Sequence, residues 1–307
     1  MDTPPWYVLG AGALGGLWAA RLARGGVAVH LLVRDPAAYA DGLVLEDAAG
    51  TQRLALPAER IDAAGAPIAR LLLTVKAHQT RAAFAAVAPR LAPGAVIVLL
   101  QNGMGAADAL VADGPAHAPL LATTTLGAWR RAPAHVVHAG DGPTWLGPGP
   151  RAASAAQRAA ALDGLRASGF TVDWDDAIEA RLWDKLAVNA AINPLTALLD
   201  CRNGALAEHA EGRALVSALC AETNAAFTAL GRPATALAER VLAVAAATGG
   251  NVSSMCADVR AGRPTEIDFI TGHLVARTAA LGLELPRHRL LLEMIRLKTA
   301  LAAPVDA

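Results

Sequence analysis

Short, largely apolar runs, separated by polar or glycine-rich breaks, dominate the first half of the chain. They fall at 6–9, 27–33, 71–75 and 95–100, with a further β-like run at 120–125. Continuous apolar runs of this length predict strands covered on both faces, as in a parallel sheet. The run at 6–9 enters Gly10-Ala11-Gly12-Ala13-Leu14-Gly15. A stretch with helical spacing follows to Arg24, Gly25-Gly26 stops it, and the run at 27–33 begins. Strand, glycine turn, helix and strand thus succeed one another within one short βαβ unit. Glycines in such a turn admit a pyrophosphate close to the backbone, and the helix N-terminus offers its N–H groups to phosphate.

The pattern continues with short strands at 43–46 and 52–56, a helix over 81–91, β-like stretches at 135–138 and 144–146, a helix over 152–167 and a strand at 170–173. The pair at 135–146 reads as an antiparallel addition to the sheet. Beyond Asp176 the period changes to 3.6 and no strand is evident. Helices are expected from about 177 and over 208–230, 235–247, 253–261, 265–281 and 286–302, with Thr265 capping the fifth of these. The chain therefore divides into an α/β Rossmann-type dinucleotide-binding domain over 1–175 and an all-α domain over 176–307 that carries substrate and catalytic residues.

Composition narrows the function classes. The 307 residues carry equal numbers of cations and anions, with a net charge of +0, so nothing points to nucleic acid or an anionic membrane as partner. No run is long and apolar enough to suggest a transmembrane helix. The three cysteines, Cys201, Cys220 and Cys256, form no CxxC pair, which suits a reducing cytoplasm. Of the 27 Lys and Arg residues only Lys76, Lys185 and Lys298 are lysine. A lysine kept in so arginine-rich a chain points to a compact ammonium able to release a proton, which Arg does not do readily.

Candidate chemistry gathers on a few stretches. Lys185, Asn189 and Asn193 are spaced four apart and share one face of an otherwise apolar helix, although Pro194 could turn Asn193 aside. Lys76 and Asn102 fall just past the carboxyl ends of strands, the edge where open α/β sheets bind ligands. Arg34 and Asp35 end the second strand, where the ribose is read. The arginine favours the 2′-phosphate of NADP and the acid favours NAD, and Arg34 directly follows the strand. Asn251-Val252-Ser253-Ser254-Met255 and Pro264-Thr265-Glu266-Ile267-Asp268 each open a helix, and one of the two serines could serve simply as its N-cap.

Taken together, Val8 to Gly15, Thr74-Val75-Lys76-Ala77, Gln101-Asn102-Gly103-Met104-Gly105, Lys185 to Asn189, Ile192-Asn193-Pro194-Leu195-Thr196, Asn203-Gly204, Asn251 to Met255 and Thr265 to Asp268 resemble the ketopantoate reductase (2-dehydropantoate 2-reductase) family along essentially the whole chain. The resemblance implies NADPH-dependent reduction of ketopantoate to (R)-pantoate, a step of pantothenate and coenzyme A synthesis. It implies Gly10, Ala11, Gly12, Ala13, Leu14 and Gly15 on the pyrophosphate, Arg34 on the 2′-phosphate, and Lys76, Asn102 and Ala128 on the cofactor. Lys185 is then the proton donor. Asn102, Asn189, Asn193, Asn203, Asn251, Val252, Ser253 and Ser254 join Lys185 around the substrate. Glu266 stands against both cofactor and substrate. No metal is implied, and the enzyme is expected as a monomer or homodimer. The alternatives are reduction of a different 2-keto acid, or an NADP-binding regulator without catalysis.

Overall fold

The protein is described here by a computed structural model covering residues 3–113 and 117–302. In chain order the first part comprises β1 (Trp6–Leu9), α1 (Ala13–Arg24), β2 (Val29–Val33), β3 (Leu43–Asp47), β4 (Gly50–Leu54), β5 (Ala58–Arg60), β6 (Ile68–Leu73), α2 (Thr80–Val87), β7 (Leu91–Leu99), α3 (Ala106–Asp113), β8 (Leu120–Thr124), β9 (Gly127–Ala132), β10 (His135–Gly140), β11 (Thr144–Gly147), α4 (Ala155–Arg166) and β12 (Val172–Trp174). Then come α5 (Ile178–Leu199), α6 (Ala205–Glu208), α7 (Ala210–Ala229), α8 (Leu237–Ala247), α9 (Ser254–Arg260), α10 (Ile267–Ala279) and α11 (Pro286–Ala302). Two compact units result. One holds Met1–Gln101 and Ala106–Glu179, the other Asn102–Gly105 and Ala180–Ala307.

The first unit is built on an eight-stranded sheet in the order β12-β11-β8-β7-β6-β1-β2-β5. Strand β1 lies parallel between β2 and β6, with Val8 opposite Leu31 on one side and Leu72 on the other. Alternate residues feed opposite faces, as a two-residue period requires. Trp6, Val8, Leu31, Leu72 and Val98 join one apolar cluster; Tyr7, Leu9, Leu32, Leu71 and Ile97 join another. Both faces are therefore dry, which is why these strands read as unbroken apolar runs. Each fully buried leucine here contributes roughly 1.5–3 kcal/mol through removal from water.

The antiparallel addition expected at 135–146 forms in its second half only. Strand β11 joins the main sheet antiparallel to β8, whereas β10 belongs to a second, four-stranded sheet in the order β4-β3-β10-β9. Gly140 to Pro143 connects two strands committed to different sheets rather than a tight turn. The second sheet rests on α1. A Cβ at Gly16 would lie 2.6 Å from the Cγ2 of Val136 in β10, so only glycine lets the helix and strand approach this closely.

After Glu179 the described residues of the second unit form helices joined by loops, with no strand among them. Its core gathers Trp183, Leu186, Ala190, Ile192 and Leu195 of α5 with Val216, Phe227, Val241, Met255, Ile270 and Ile295. Helix α5 runs through Pro194 without interruption. A proline there removes one backbone donor, and two residues on the Thr196 hydroxyl donates to the Ile192 carbonyl at 2.9 Å. The expected helix over 208–230 forms as α7, with His209 as its extended N-cap and the short α6 just before it.

Candidate active site

In the first unit the glycine turn is held by contacts that leave no room for side chains. Gly10 has φ +94, and a Cβ there would fall 2.5 Å from Val75 Cγ1. At Gly15 a Cβ would lie 2.1 Å from the Gly10 carbonyl oxygen and 2.3 Å from Thr74 Oγ1. That threonine hydroxyl donates to the Gly10 carbonyl at 2.7 Å, and the Tyr39 hydroxyl donates to the Ala11 carbonyl at 2.9 Å. The turn is therefore pinned from the end of β6 and from the segment after β2.

Gly12 differs from both neighbours. It is the N-cap of α1, has no side-chain cap, and a Cβ there would meet nothing within 4 Å. The amides of Ala13, Leu14 and Gly15 begin the helix and have no intrahelical acceptor. Open space in front of first-turn donors with no acidic residue among them fits a pyrophosphate. Thus the glycine turn fits a dinucleotide on its own geometry.

Arg34 and Asp35 separate in role. The Asp35 carboxylate caps the short 3₁₀ turn Pro36–Tyr39, accepting from the Ala37 amide at 3.1 Å. Arg34 is exposed, and no hydrogen bond or ion pair engages its side chain among the described residues. Lys76 immediately precedes the 3₁₀ turn Ala77–Gln79, past the end of β6. Gln101, past the end of β7, donates from Nε2 to the Val75 carbonyl at 2.7 Å and also bonds Thr80 Oγ1, so the two strand ends are tied together. Ala128 lies on β9, partly buried against the first unit's core.

In the second unit the polar stripe survives Pro194. Lys185, Asn189 and Asn193 lie on the unbroken α5 at four-residue spacing, and Asn193 is buried. The side-chain amides of Asn189 and Asn193 make no hydrogen bond among the described residues. Asn193 is buried and Asn189 half-buried; an amide withdrawn from water without a partner is costly, so this face is suited to a polar ligand. Desolvation pushes the Lys185 ammonium down from 10.5 to about 8, and the negative charge of Glu266 opposes that fall. The residue is therefore poised to hold or release a proton near neutral pH.

Glu266 is buried at the N-cap position of α10. Thr265, expected as the cap, stands one residue earlier, with its hydroxyl accepting weakly from the Ile267 amide at 3.4 Å. Asn102 belongs to this unit, and its Nδ2 lies 3.5 Å from Glu266 Oε2. The segment carrying it is anchored by the Met104 amide, which donates to the Phe269 carbonyl at 2.9 Å. Lys185, Glu266 and Asn102 thus form one group.

A second group is assembled around α9. The Asn203 amide donates to the Asn251 carbonyl at 3.0 Å, and Asn203 Nδ2 donates to Thr248 Oγ1 at 2.9 Å. Asn203 Oδ1 is buried without a partner. Ser253 is the N-cap of α9, accepting from the Cys256 amide at 3.1 Å, and its hydroxyl also meets Thr196 Oγ1 at 2.8 Å. Ser254 is exposed and its hydroxyl has no partner among the described residues. Val252 beside it packs partly against the core. The Thr196–Ser253 contact ties the Asn193 turn of α5 to the start of α9. Thr196 and Tyr39 escaped the sequence reading. Thr196 lies in the Ile192–Thr196 motif, and Tyr39 in none of the motifs.

Residues 6–151 match the family described as ketopantoate reductase PanE/ApbA, and residues 177–299 match its C-terminal family. A 2-dehydropantoate 2-reductase of Vibrio cholerae is 38% identical over 292 residues, covering 94% of this chain and 96% of its own. One of Shigella flexneri is 36% identical over 293 residues, covering 95% and 94%. The crystal structure of 2-dehydropantoate 2-reductase from Geobacter metallireducens superposes with a TM-score of 0.86 at 28% identity, covering 95% of this chain and 99% of that one. The described residues include no helix long and apolar enough to cross a membrane. From its pinned glycine turn to its lysine-bearing helix, this chain belongs to the ketopantoate reductase family.

Proposed function

We propose that this chain reduces 2-dehydropantoate to (R)-pantoate with NADPH, the reaction of pantothenate synthesis. The observation that carries the reading is Lys185, with its depressed pKa, beside Glu266 and on one helix face with the unpartnered amides of Asn189 and Asn193.

A bound nicotinamide cofactor supplies the hydride to the carbonyl carbon of the 2-keto acid. Electron density then moves onto the carbonyl oxygen, and the Lys185 ammonium donates the proton that converts alkoxide to hydroxyl. Solvent returns a proton to the neutral amine for the next turnover. A positioned acid of matched pKa is worth typically about 10²–10⁴ in rate. Glu266 keeps Lys185 protonated by its charge. Asn102, Asn189 and Asn193 present both donors and acceptors, which suits a substrate with carboxylate, keto and hydroxyl groups. Asn203, Asn251, Val252, Ser253 and Ser254 complete the substrate side of this reading, with Ser254 the hydroxyl left free by the α9 cap.

On the cofactor side, Gly10 to Gly15 take the pyrophosphate, and Lys76, Ala128 and Asn102 line the rest. NADPH is favoured over NADH because Asp35 is engaged as a cap while Arg34 stands exposed and unpaired among the described residues. Initial rates with ketopantoate, using NADPH and NADH side by side, test the proposal. Rapid oxidation of NADPH and much slower oxidation of NADH are expected. Oxidation of NADPH no faster with ketopantoate than without it would remove the substrate; equal rates with both cofactors would remove the preference.

A further inference from the structure

Strand β9 carries two arginines with opposite surroundings. Arg131 bonds Glu46 at 2.9 Å and stacks over Trp129 at 5.0 Å. Trp129 and Arg131 are two apart and share a face. Arg130 points the other way, with Ala128. Its antiparallel partner is Val136, the residue packed on Gly16 of α1. Directly opposed residues place their side chains on the same face of the sheet, so Arg130 leaves the strand on the side of α1, near that helix's first turn. It is exposed, and no hydrogen bond or ion pair engages it among the described residues.

Tyr39 relates this guanidinium to the glycine turn. Burial raises the pKa of this phenol, the Arg130 charge lowers it, and the Asp35 charge raises it. Arg130 is therefore within electrostatic reach of a hydroxyl bonded to the Ala11 carbonyl of the glycine turn. The same corner holds the end of β2, where Arg34 emerges. Arg130, from the four-stranded sheet, thus acts on the same hydroxyl as Asp35, the immediate neighbour of Arg34, at the strand end where such folds read the adenosine ribose.

We propose that Arg130 is a second ligand of the cofactor's adenosine 2′-phosphate, acting with Arg34 and bringing the four-stranded sheet into the cofactor site. The proposal rests on the NADPH reading above. Two guanidinium groups offset the dianionic phosphate beside Asp35, and a planar fork can bond two phosphate oxygens at once.

The test uses the whole protein and two nucleotide probes, 2′-phosphoadenosine 5′-phosphate and adenosine 5′-monophosphate, titrated calorimetrically against wild type, Arg130→Met and Arg130→Lys. The methionine variant is expected to bind the 2′-phosphorylated probe about tenfold more weakly, as loss of a charge-assisted hydrogen bond implies. Its affinity for the monophosphate should not change. The lysine variant should fall between, keeping charge but losing the fork. Equal loss on both probes, or no loss on either, overturns the role of Arg130 while a wild-type preference for the 2′-phosphorylated probe leaves the NADPH reading standing. Absence of that preference in wild type removes both.

Discussion

A methyl group placed on Gly15 would fall 2.1 Å from a backbone oxygen, whereas the amide of Asn189, in the other unit, reaches no partner among the described residues. The two units prepare for ligands in opposite ways. The first does it with backbone: Thr74 and Tyr39 fix the carbonyls of the turn, and Gly12 leaves a void before the helix amides. The second does it with side chains: a desolvated ammonium at Lys185 and the amides of Asn189 and Asn193, which make no hydrogen bond among the described residues. A backbone site is rigid and indifferent to protonation. A site of buried amines and amides is tunable by pH and by its neighbours. This division suits a cofactor bound by its phosphates and a substrate that must receive a proton.

The sharpest way to break the contrast is Lys185→Ala. We expect kcat to fall by about 10²–10⁴ with NADPH affinity unchanged, measured by steady-state rates and fluorescence titration. A parallel loss of cofactor affinity would mean that the second unit does more than serve the substrate. Next come the glycines. Gly15→Ala should destabilise the fold by about 1–3 kcal/mol or more, as overpacking does, and lower the melting temperature. Gly12→Ala should leave the melting temperature alone, because its methyl meets no protein atom, yet weaken dinucleotide binding. If the two variants melt alike, the void at Gly12 is not what distinguishes it.

The smallest effect is a shift on the pH axis. Lys185 must be protonated to donate, so the rate of reduction should decline as pH rises through about 8. Glu266 raises the Lys185 pKa. Removing its charge in Glu266→Gln should therefore move the decline to lower pH, read from kcat against pH in both proteins. A basic limb that stays in place would detach Glu266 from the lysine.

Those features that rest on strong local rules were legible in the sequence. The glycine turn was readable because its steric demands exclude other residues, and β1, β6 and β7 because both their faces are buried. The stripe on α5 was readable from spacing, but its desolvation belongs to tertiary packing and left no mark in the sequence. Strands β5 and β9 went unread. Ala58–Arg60 is short, and Trp129 to Ala132 are exposed, so neither alternates in the way a half-buried strand does. The role of Arg130 was hidden with β9. The pairing of β10 with β3, far apart in sequence, draws half of the expected antiparallel addition into a second sheet.

The short segment Asn102–Gly105 has a wider meaning. It packs with the second unit, although the strand before it and the helix after it belong to the first. The chain therefore changes units after Gln101, after Gly105 and after Glu179, not at one hinge. Recombination that exchanged everything beyond Glu179 between two relatives would leave Met104 facing a foreign Phe269 and Asn102 a foreign Glu266. The two halves are thus bound to a shared inheritance: the loop and the helix it touches must change together or not at all.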